Sequence, residues 1–70
     1  MQISEIGLSK IGFDFSNNQM EFRLSRYKWL IWNLDDYITL YDEKTEPNFF
    51  PLKNINTLEK VEQLINDLCN

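Results

Sequence analysis

Residues 11–24 read IGFDFSNNQMEFRL, and this stretch decides the fold because apolar and polar residues alternate on both sides of Asn17 and Asn18. Alternation with a period of two is typical of strands that bury one face of a sheet. Asn tolerates the positive φ that a two-residue hairpin turn requires. A turn at these two residues places Phe15 opposite Met20, so apolar side chains meet across the hairpin.

The alternation continues into two further strands. A two-residue turn at Ser25-Arg26 places Phe22 opposite Trp29, and a turn at residues 33–36 places Trp29 opposite Leu40. The prediction is a four-stranded antiparallel meander with strands at about residues 10–16, 19–25, 27–33 and 37–42. One face of this sheet collects the residues that we expect to form the core: Ile11, Phe13, Phe15, Met20, Phe22, Leu24, Tyr27, Trp29, Ile31, Ile38 and Leu40.

The C-terminal segment carries a helical pattern. An apolar stripe at helical spacing is formed by Leu58, Val61, Leu64, Ile65 and Leu68. Asn56 followed by Glu59 resembles a capping box, and Thr57 is the alternative N-cap. The predicted helix spans about residues 57–69, is about 20 Å long and can cover one face of the sheet but not both. Strands followed by a helix indicate a single α+β domain over residues 1–70.

Two segments fit neither pattern. Ile6 and Leu8 fall on the opposite parity to the strand that follows, so a bulge, a turn or an extra short strand is required before it. Between the meander and the helix, Pro47 and Pro51 disfavour the interior of a regular strand or helix. We expect Phe49-Phe50, which lies between these prolines, to anchor the connection to the core.

Composition limits the classes of function. Hydrophobic residues make up 43% of the 70 residues, which is enough apolar surface for a folded chain. The net charge of −4 and the scattered basic residues disfavour nucleic acids and anionic membranes as partners. Cys69 is the only cysteine, so no disulfide can form within the chain. No apolar run approaches the length of a membrane span, and we expect a cytoplasmic protein with a free thiol.

The residues that most often carry catalysis are absent or isolated. The chain has no His, so Cys69 has no imidazole base beside it. No glycine-rich phosphate loop is present. The acidic pairs Asp35-Asp36 and Asp42-Glu43 are interpreted as solvated turn residues, because Asp forms local backbone hydrogen bonds in turns. We therefore predict no enzymatic activity and no catalytic, cofactor-binding or metal-binding residue.

The second face of the predicted sheet is the most informative feature. In the register above it carries a mixed aromatic patch, which we predict to bind a partner: Lys28, Leu30, Trp32, Tyr37, Thr39 and Tyr41. Trp and Tyr are enriched at binding hot spots, and monomers seldom expose large apolar patches. Two alternatives remain, that residues 1–9 or 42–56 fold over this patch, and that the register itself is wrong.

The predicted fourth strand raises a related question. Residues 37–41 contain no charge and no proline, and as an outer strand they would expose unpaired backbone groups. Such an edge invites a strand from a partner or from a second copy of the chain. Alternatively, the N-terminal segment or Phe49-Phe50 covers the edge internally.

The leading hypothesis is a small acidic interaction module that binds another protein, or itself as a homodimer, through the second face and this edge. An accessory or inhibitor protein of a phage or mobile element fits the size and the bias towards Asn and Ile. The alternative hypothesis is single-stranded nucleic-acid binding, with sheet aromatics stacking on bases and Lys10, Arg23 and Lys28 contacting phosphates. A small enzyme or enzyme subunit is the remote alternative.

Overall fold

Two helices and five strands make up the fold. The computed structural model describes the backbone of residues 1–69 and the side chains of residues 1–68, so the expectation for the Cys69 thiol lies outside the described side chains. The elements are α1 (Glu5–Ile11), β1 (Asp14–Ser16), β2 (Gln19–Ser25), β3 (Lys28–Trp32), β4 (Ile38–Asp42), β5 (Phe49–Leu52) and α2 (Leu58–Cys69). The strands form one antiparallel sheet in the order β1-β2-β3-β4-β5. The α+β class is confirmed, whereas the prediction of four strands and one helix is wrong.

Helix α1 replaces the first part of the strand that was predicted at residues 10–16. Ser4 is its N-cap, with the hydroxyl oxygen accepting a hydrogen bond from the Gly7 N–H at 3.1 Å. Gly12 ends the helix with a φ of 125°, and its N–H donates to the carbonyls of Leu8 and Ser9. Because only glycine adopts this φ readily, the chain can turn here from helix into strand. Strand β1 is consequently only three residues long.

The turn of the first hairpin forms as predicted, whereas Phe15, which we expected in the core, is 62% exposed. Asn17 and Asn18 both have positive φ, 54° and 63°, as a type I′ turn requires. Phe15 is paired with Met20 across the hairpin. Phe13 and Phe22 are in contact beside this hairpin, with ring centroids 5.3 Å apart, although Phe13 precedes β1.

Strand β3 lies one residue out of the predicted register. Phe22 is paired with Leu30 rather than with Trp29, and Met20 is paired with Trp32. The hairpin turns at residues 26–27, because Ser25 is paired with Lys28 and β2 is irregular just before that pair. A slip of one residue exchanges the two faces of a strand. Residues 29–32 are apolar on both faces, so the hydrophobic pattern could not determine which face is buried.

Strand β4 buries the predicted face, with Ile38 and Leu40 towards the core, but it is not the predicted outer strand. Ile38 is fully buried and Leu40 packs against the core. Strand β5 then pairs along β4, with Phe50 opposite Leu40, so β4 is an interior strand. The prediction of an exposed edge at residues 37–41 is therefore wrong, and Phe49-Phe50 covers it, as one of the alternatives stated.

Both helices pack against the same face of the sheet. Helix α2 begins one residue after its predicted start, and Thr57 is its N-cap, accepting from the Lys60 N–H at 3.2 Å. Trp32 is only 8% exposed, and its indole Nε1–H donates to the Asp35 carbonyl at 2.7 Å. The buried core draws on both helices and on β2, β3 and β4: Leu8, Phe13, Met20, Leu30, Trp32, Ile38, Leu58 and Val61.

Candidate protein-interaction face

The sheet face opposite the helices carries a row of four side chains, one from each of β2 to β5. Arg23 is paired with Trp29, Trp29 with Tyr41, and Tyr41 with Phe49. The Arg23 guanidinium carbon lies 5.7 Å from the Trp29 ring centroid. The ring centroids of Trp29 and Tyr41 are 5.6 Å apart, and those of Tyr41 and Phe49 are 4.9 Å apart. We call this row the aromatic ladder.

The ladder is ordered by its own contacts. Each ring pair is tilted by 55° and lies within the roughly 4.5–7 Å range that favours aromatic pairs. The Arg23 guanidinium lies within the roughly 6 Å over which a cation is attracted to an indole face. Phe49, at the outer end, is 56% exposed, while Trp29 and Tyr41 are half-buried. The ladder therefore presents aromatic surface whose side chains are already held in place.

A second row runs beside the ladder and forms one wall of a shallow groove. In this row Glu21 is paired with Ile31, Ile31 with Thr39, and Thr39 with Pro51. Between the two rows lies a groove of about 290 Å³, which we call the open-face groove; it is lined by Gln19, Glu21, Trp29, Ile31, Tyr41 and Phe49. Three aromatic rings and one aliphatic side chain make this groove mainly apolar.

The polar end of the groove is negatively charged. Glu21 lies directly opposite Asp14 on β1, so two carboxylates share this corner of the face. Glu21 accepts a hydrogen bond from the Gln19 amide at 2.9 Å. The Arg23 Nε–H donates instead to the Ser25 carbonyl at 3.1 Å. Among residues 1–68 neither carboxylate is in an ion pair.

The one ion pair found among residues 1–68 lies away from the open-face groove. It joins the Met1 amino group to Glu59 at 2.8 Å, next to the start of α2. The hydrogen bond from the amino group holds the pKa of Glu59 below its ordinary value. This charge pair does not neutralise the open-face groove.

Only part of the predicted partner-binding patch lies on this face. Tyr41 is in the ladder and Thr39 is in the second row, as predicted. Tyr37 immediately precedes β4 and does not line the groove. The predicted face is wrong for Leu30 and Trp32, which are buried in the core, and for Lys28, which lies on their side of β3.

On the open face, the positions predicted for Lys28, Leu30 and Trp32 are occupied by residues that we had predicted in the core or in a connection. Trp29 and Ile31 occupy β3 on the open face, and Phe49 extends the ladder from β5. A shift of one residue at the second hairpin would have identified Trp29 and Ile31. Residues 1–9 contribute Leu8 to the helix-side core, and β5 lies beside β4 rather than over the sheet, so neither of the segments considered covers the groove.

The free edge of β5 is poorly suited to pairing with a strand of a partner. Pro51 has no N–H, so its pair with Thr39 must be one in which these residues exchange no backbone hydrogen bond. The Asp42 N–H donates to the Asn48 carbonyl at 2.8 Å, which fits this alternation. The missing N–H of Pro51 thus falls on the free side of β5, where it interrupts the row of donors that an incoming strand needs.

Other classes of site find little support. Over residues 1–69 neither helix has the length and apolar character needed to cross a membrane. In the same part of the chain no three His, Cys, Asp or Glu side chains are grouped to hold a metal ion. Comparison of the chain with models of protein families, with curated proteins and with solved structures found no match.

Proposed function

We propose that this chain is a small, acidic, non-catalytic module that binds another protein through the open-face groove and the aromatic ladder. The observation that carries the proposal is the uncovered ladder of Arg23, Trp29, Tyr41 and Phe49. Arg, Trp and Tyr are the residues most enriched at interface hot spots. Aromatic side chains that are already ordered lose little conformational freedom when a partner binds.

The size of the face favours a segment of another protein over a second copy of the chain. With strands about 4.8 Å apart and about 3.4 Å per residue, a face of five strands and about five residues covers roughly 19 by 17 Å. This projected area of about 320 Å² is small for an interface that buries about 800 Å² of accessible surface on each partner, which is the standard size. The interrupted edge at Pro51 offers little to extend it. A single peptide segment fits this area better than a homodimer.

The test compares variants of the open face with one of the opposite face. The immobilised chain would be used to isolate a partner, and its Kd would be measured for wild type, for a Trp29→Ser and Tyr41→Ser double variant, and for Phe15→Ser. Phe15 is 62% exposed on the helix side of the sheet, so it is a matched aromatic control.

We expect the double variant to weaken binding at least 30-fold, about 2 kcal/mol, since hot-spot aromatics reach this value. The control should change the Kd by less than about threefold, which corresponds to an energetically neutral position. Circular dichroism would verify that each variant is folded. A partner that binds the folded double variant as tightly as wild type would refute the proposal.

The aromatic ladder also suits the alternative of single-stranded nucleic acid, because bases stack on aromatic rings. The charges oppose it. Asp14 and Glu21 border the groove, and of the basic residues that were expected to contact phosphates only Arg23 lies on this face. Lys10 is in the last turn of α1, and Lys28 lies opposite Asp42. Titration of the tryptophan fluorescence with oligothymidine at low salt should give no saturable change, whereas saturable quenching would favour nucleic acid.

The proposed setting is the cytoplasm, with the chain acting as an accessory or inhibitor protein of a phage or mobile element. Its support is the sequence alone, through its small size, acidity and bias towards Asn and Ile. Fractionation of bacterial cells that express a tagged chain would test the location. Recovery in the cytosolic fraction is expected, and recovery with membranes or in the periplasm would contradict it.

A further inference from the structure

Resting on the proposed function, we propose that the partner segment is basic and places an Arg or Lys side chain in the open-face groove. Glu21 is its counter-ion and Trp29 is the aromatic surface on which it lies. The partner is thereby defined by its chemistry, as a basic side chain accompanied by apolar neighbours.

Glu21 and Trp29 are neighbours on the open face of the sheet. Glu21 is paired with Ile31, so Trp29, two residues before Ile31 on β3, is its diagonal neighbour on the same face. Diagonal neighbours are about 7–8 Å apart, within reach of long and aromatic side chains. A cation between them can contact the carboxylate and the ring together. Glu21 and Trp29 are both half-buried, so the cation is partly shielded from water there, which strengthens both attractions.

The charged and polar neighbours of Glu21 favour a cation at this position. Asp14 lies directly opposite Glu21, and like charges in this position repel each other. Gln19 holds one carboxylate oxygen of Glu21 by a hydrogen bond at 2.9 Å. Arg23 is engaged with the Ser25 carbonyl and the Trp29 ring rather than with Glu21. A cation brought by the partner therefore relieves a repulsion that no ion pair among residues 1–68 offsets.

The rest of the groove determines what accompanies the basic side chain. Ile31 lies directly beside Glu21, and Tyr41 and Phe49 extend the apolar part of the groove away from it. An apolar side chain of the partner can pack there while the basic one reaches Glu21. The net charge of −4 also steers a basic segment towards the chain before contact.

The experiment uses a library of displayed random peptides selected on the full-length chain. Selected peptides would be synthesised, and their Kd measured by fluorescence anisotropy for wild type, Glu21→Gln, Trp29→Ser and Glu62→Gln. Glu62 is exposed on α2, on the other side of the sheet, so this control makes the same change of charge away from the groove.

We expect the selected peptides to share an Arg or Lys whose replacement by Ala weakens binding about tenfold, the size of one charge-assisted contact. Glu21→Gln should weaken binding by a similar factor, and Glu62→Gln by less than about twofold, as expected for a remote exposed charge. Binding to wild type should also weaken as salt is raised from about 50 to 500 mM, because the ion pair is partly exposed.

The outcomes separate this inference from the proposed function. Peptides that need Trp29 but bind Glu21→Gln as tightly as wild type, or that lack a basic residue, overturn the basic partner and leave the interaction face intact. Peptides that bind the Trp29→Ser variant unchanged, or a selection that yields no specific peptide, count against both. Saturable binding of oligothymidine at low salt overturns a basic partner as well.

Discussion

Replacing Leu30 by Ala is the most direct test of the β3 register, on which the position of the groove depends. Leu30 has no exposed surface and belongs to a core cluster that draws on both helices and the sheet. A Leu→Ala change at a fully buried site costs about 2–5 kcal/mol, because a cavity is added to the lost transfer free energy. We expect about 3 kcal/mol. A 70-residue domain has a total of only about 3.5–10 kcal/mol, so the loss is a large fraction of the free energy of unfolding.

Ile31→Ala is the matched control on the neighbouring residue. Ile31 is half-buried on the open face and lines a groove that opens to solvent, so its truncation widens the groove and leaves no enclosed cavity. Losing about half of the burial of one aliphatic side chain costs roughly 1 kcal/mol. The two variants should therefore differ by about 2 kcal/mol, although each removes aliphatic carbon from the same strand.

Urea denaturation followed by far-ultraviolet circular dichroism measures both values. With an m-value near 1 kcal/mol/M for so small a chain, Leu30→Ala should lower the midpoint by about 3 M and Ile31→Ala by about 1 M. The reverse order would refute the reasoning, since it would mean that Ile31 faces the helices and Leu30 faces solvent. The aromatic ladder would then be part of the core, and the proposed function would lose its structural basis.

Three further predictions concern other positions. With Trp32→Phe, the remaining half-buried Trp29 should be quenched by acrylamide more strongly than the buried Trp32 that remains with Trp29→Phe; equal quenching would contradict the two different environments. Leu34 has a φ of 62° and is 76% exposed. Because glycine adopts this φ without strain, Leu34→Gly should raise the free energy of unfolding by about 0.5–1 kcal/mol, and a lower melting temperature would contradict this. Gly12→Ala, at a φ of 125°, should lower the free energy of unfolding by about 1–3 kcal/mol, and an unchanged melting temperature would show that the backbone there can relax.

The parts of the fold that the sequence predicts well are those with one dominant local signal. Asn17-Asn18 allows a two-residue turn between alternating strands, and the structure has this turn with positive φ at both residues. In α2 the polar residues Glu59, Glu62 and Gln63 are exposed, as the stripe required. In both cases the local preference and the tertiary packing agree, except that Leu68, the last residue of the predicted stripe, is 54% exposed.

The face of β3 could not be predicted in the same way. Trp29 and Ile31 are as apolar as Leu30 and Trp32, so either register buries hydrophobic surface. The choice depends on the turn at residues 26–27 and the irregularity before Ser25, which have no Gly or Asn signal. Half of the candidate site was consequently assigned to the wrong side of the sheet, although the aromatic face itself was expected.

Helix α1 and strand β5 were missed because a stronger pattern lay beside each of them. Ser4 and Gly12 are suitable N-cap and C-terminal signals for a short helix, but the alternation that continues from Ile11 to Phe15 favoured a strand. Pro51 argued against a strand, yet it is tolerated because β5 is outermost and its missing N–H falls on the free side.

The packing of both helices on one face separates two selective pressures that usually act on the same residues. Leu8, Leu30 and Val61 are fully buried in the core, whereas Tyr41 and Phe49 line the groove on the opposite surface. Under the proposed function, substitutions on the open face should therefore change partner binding more than they change folding. Under the proposed function, laboratory evolution of the open face alone should yield new specificities on the same scaffold.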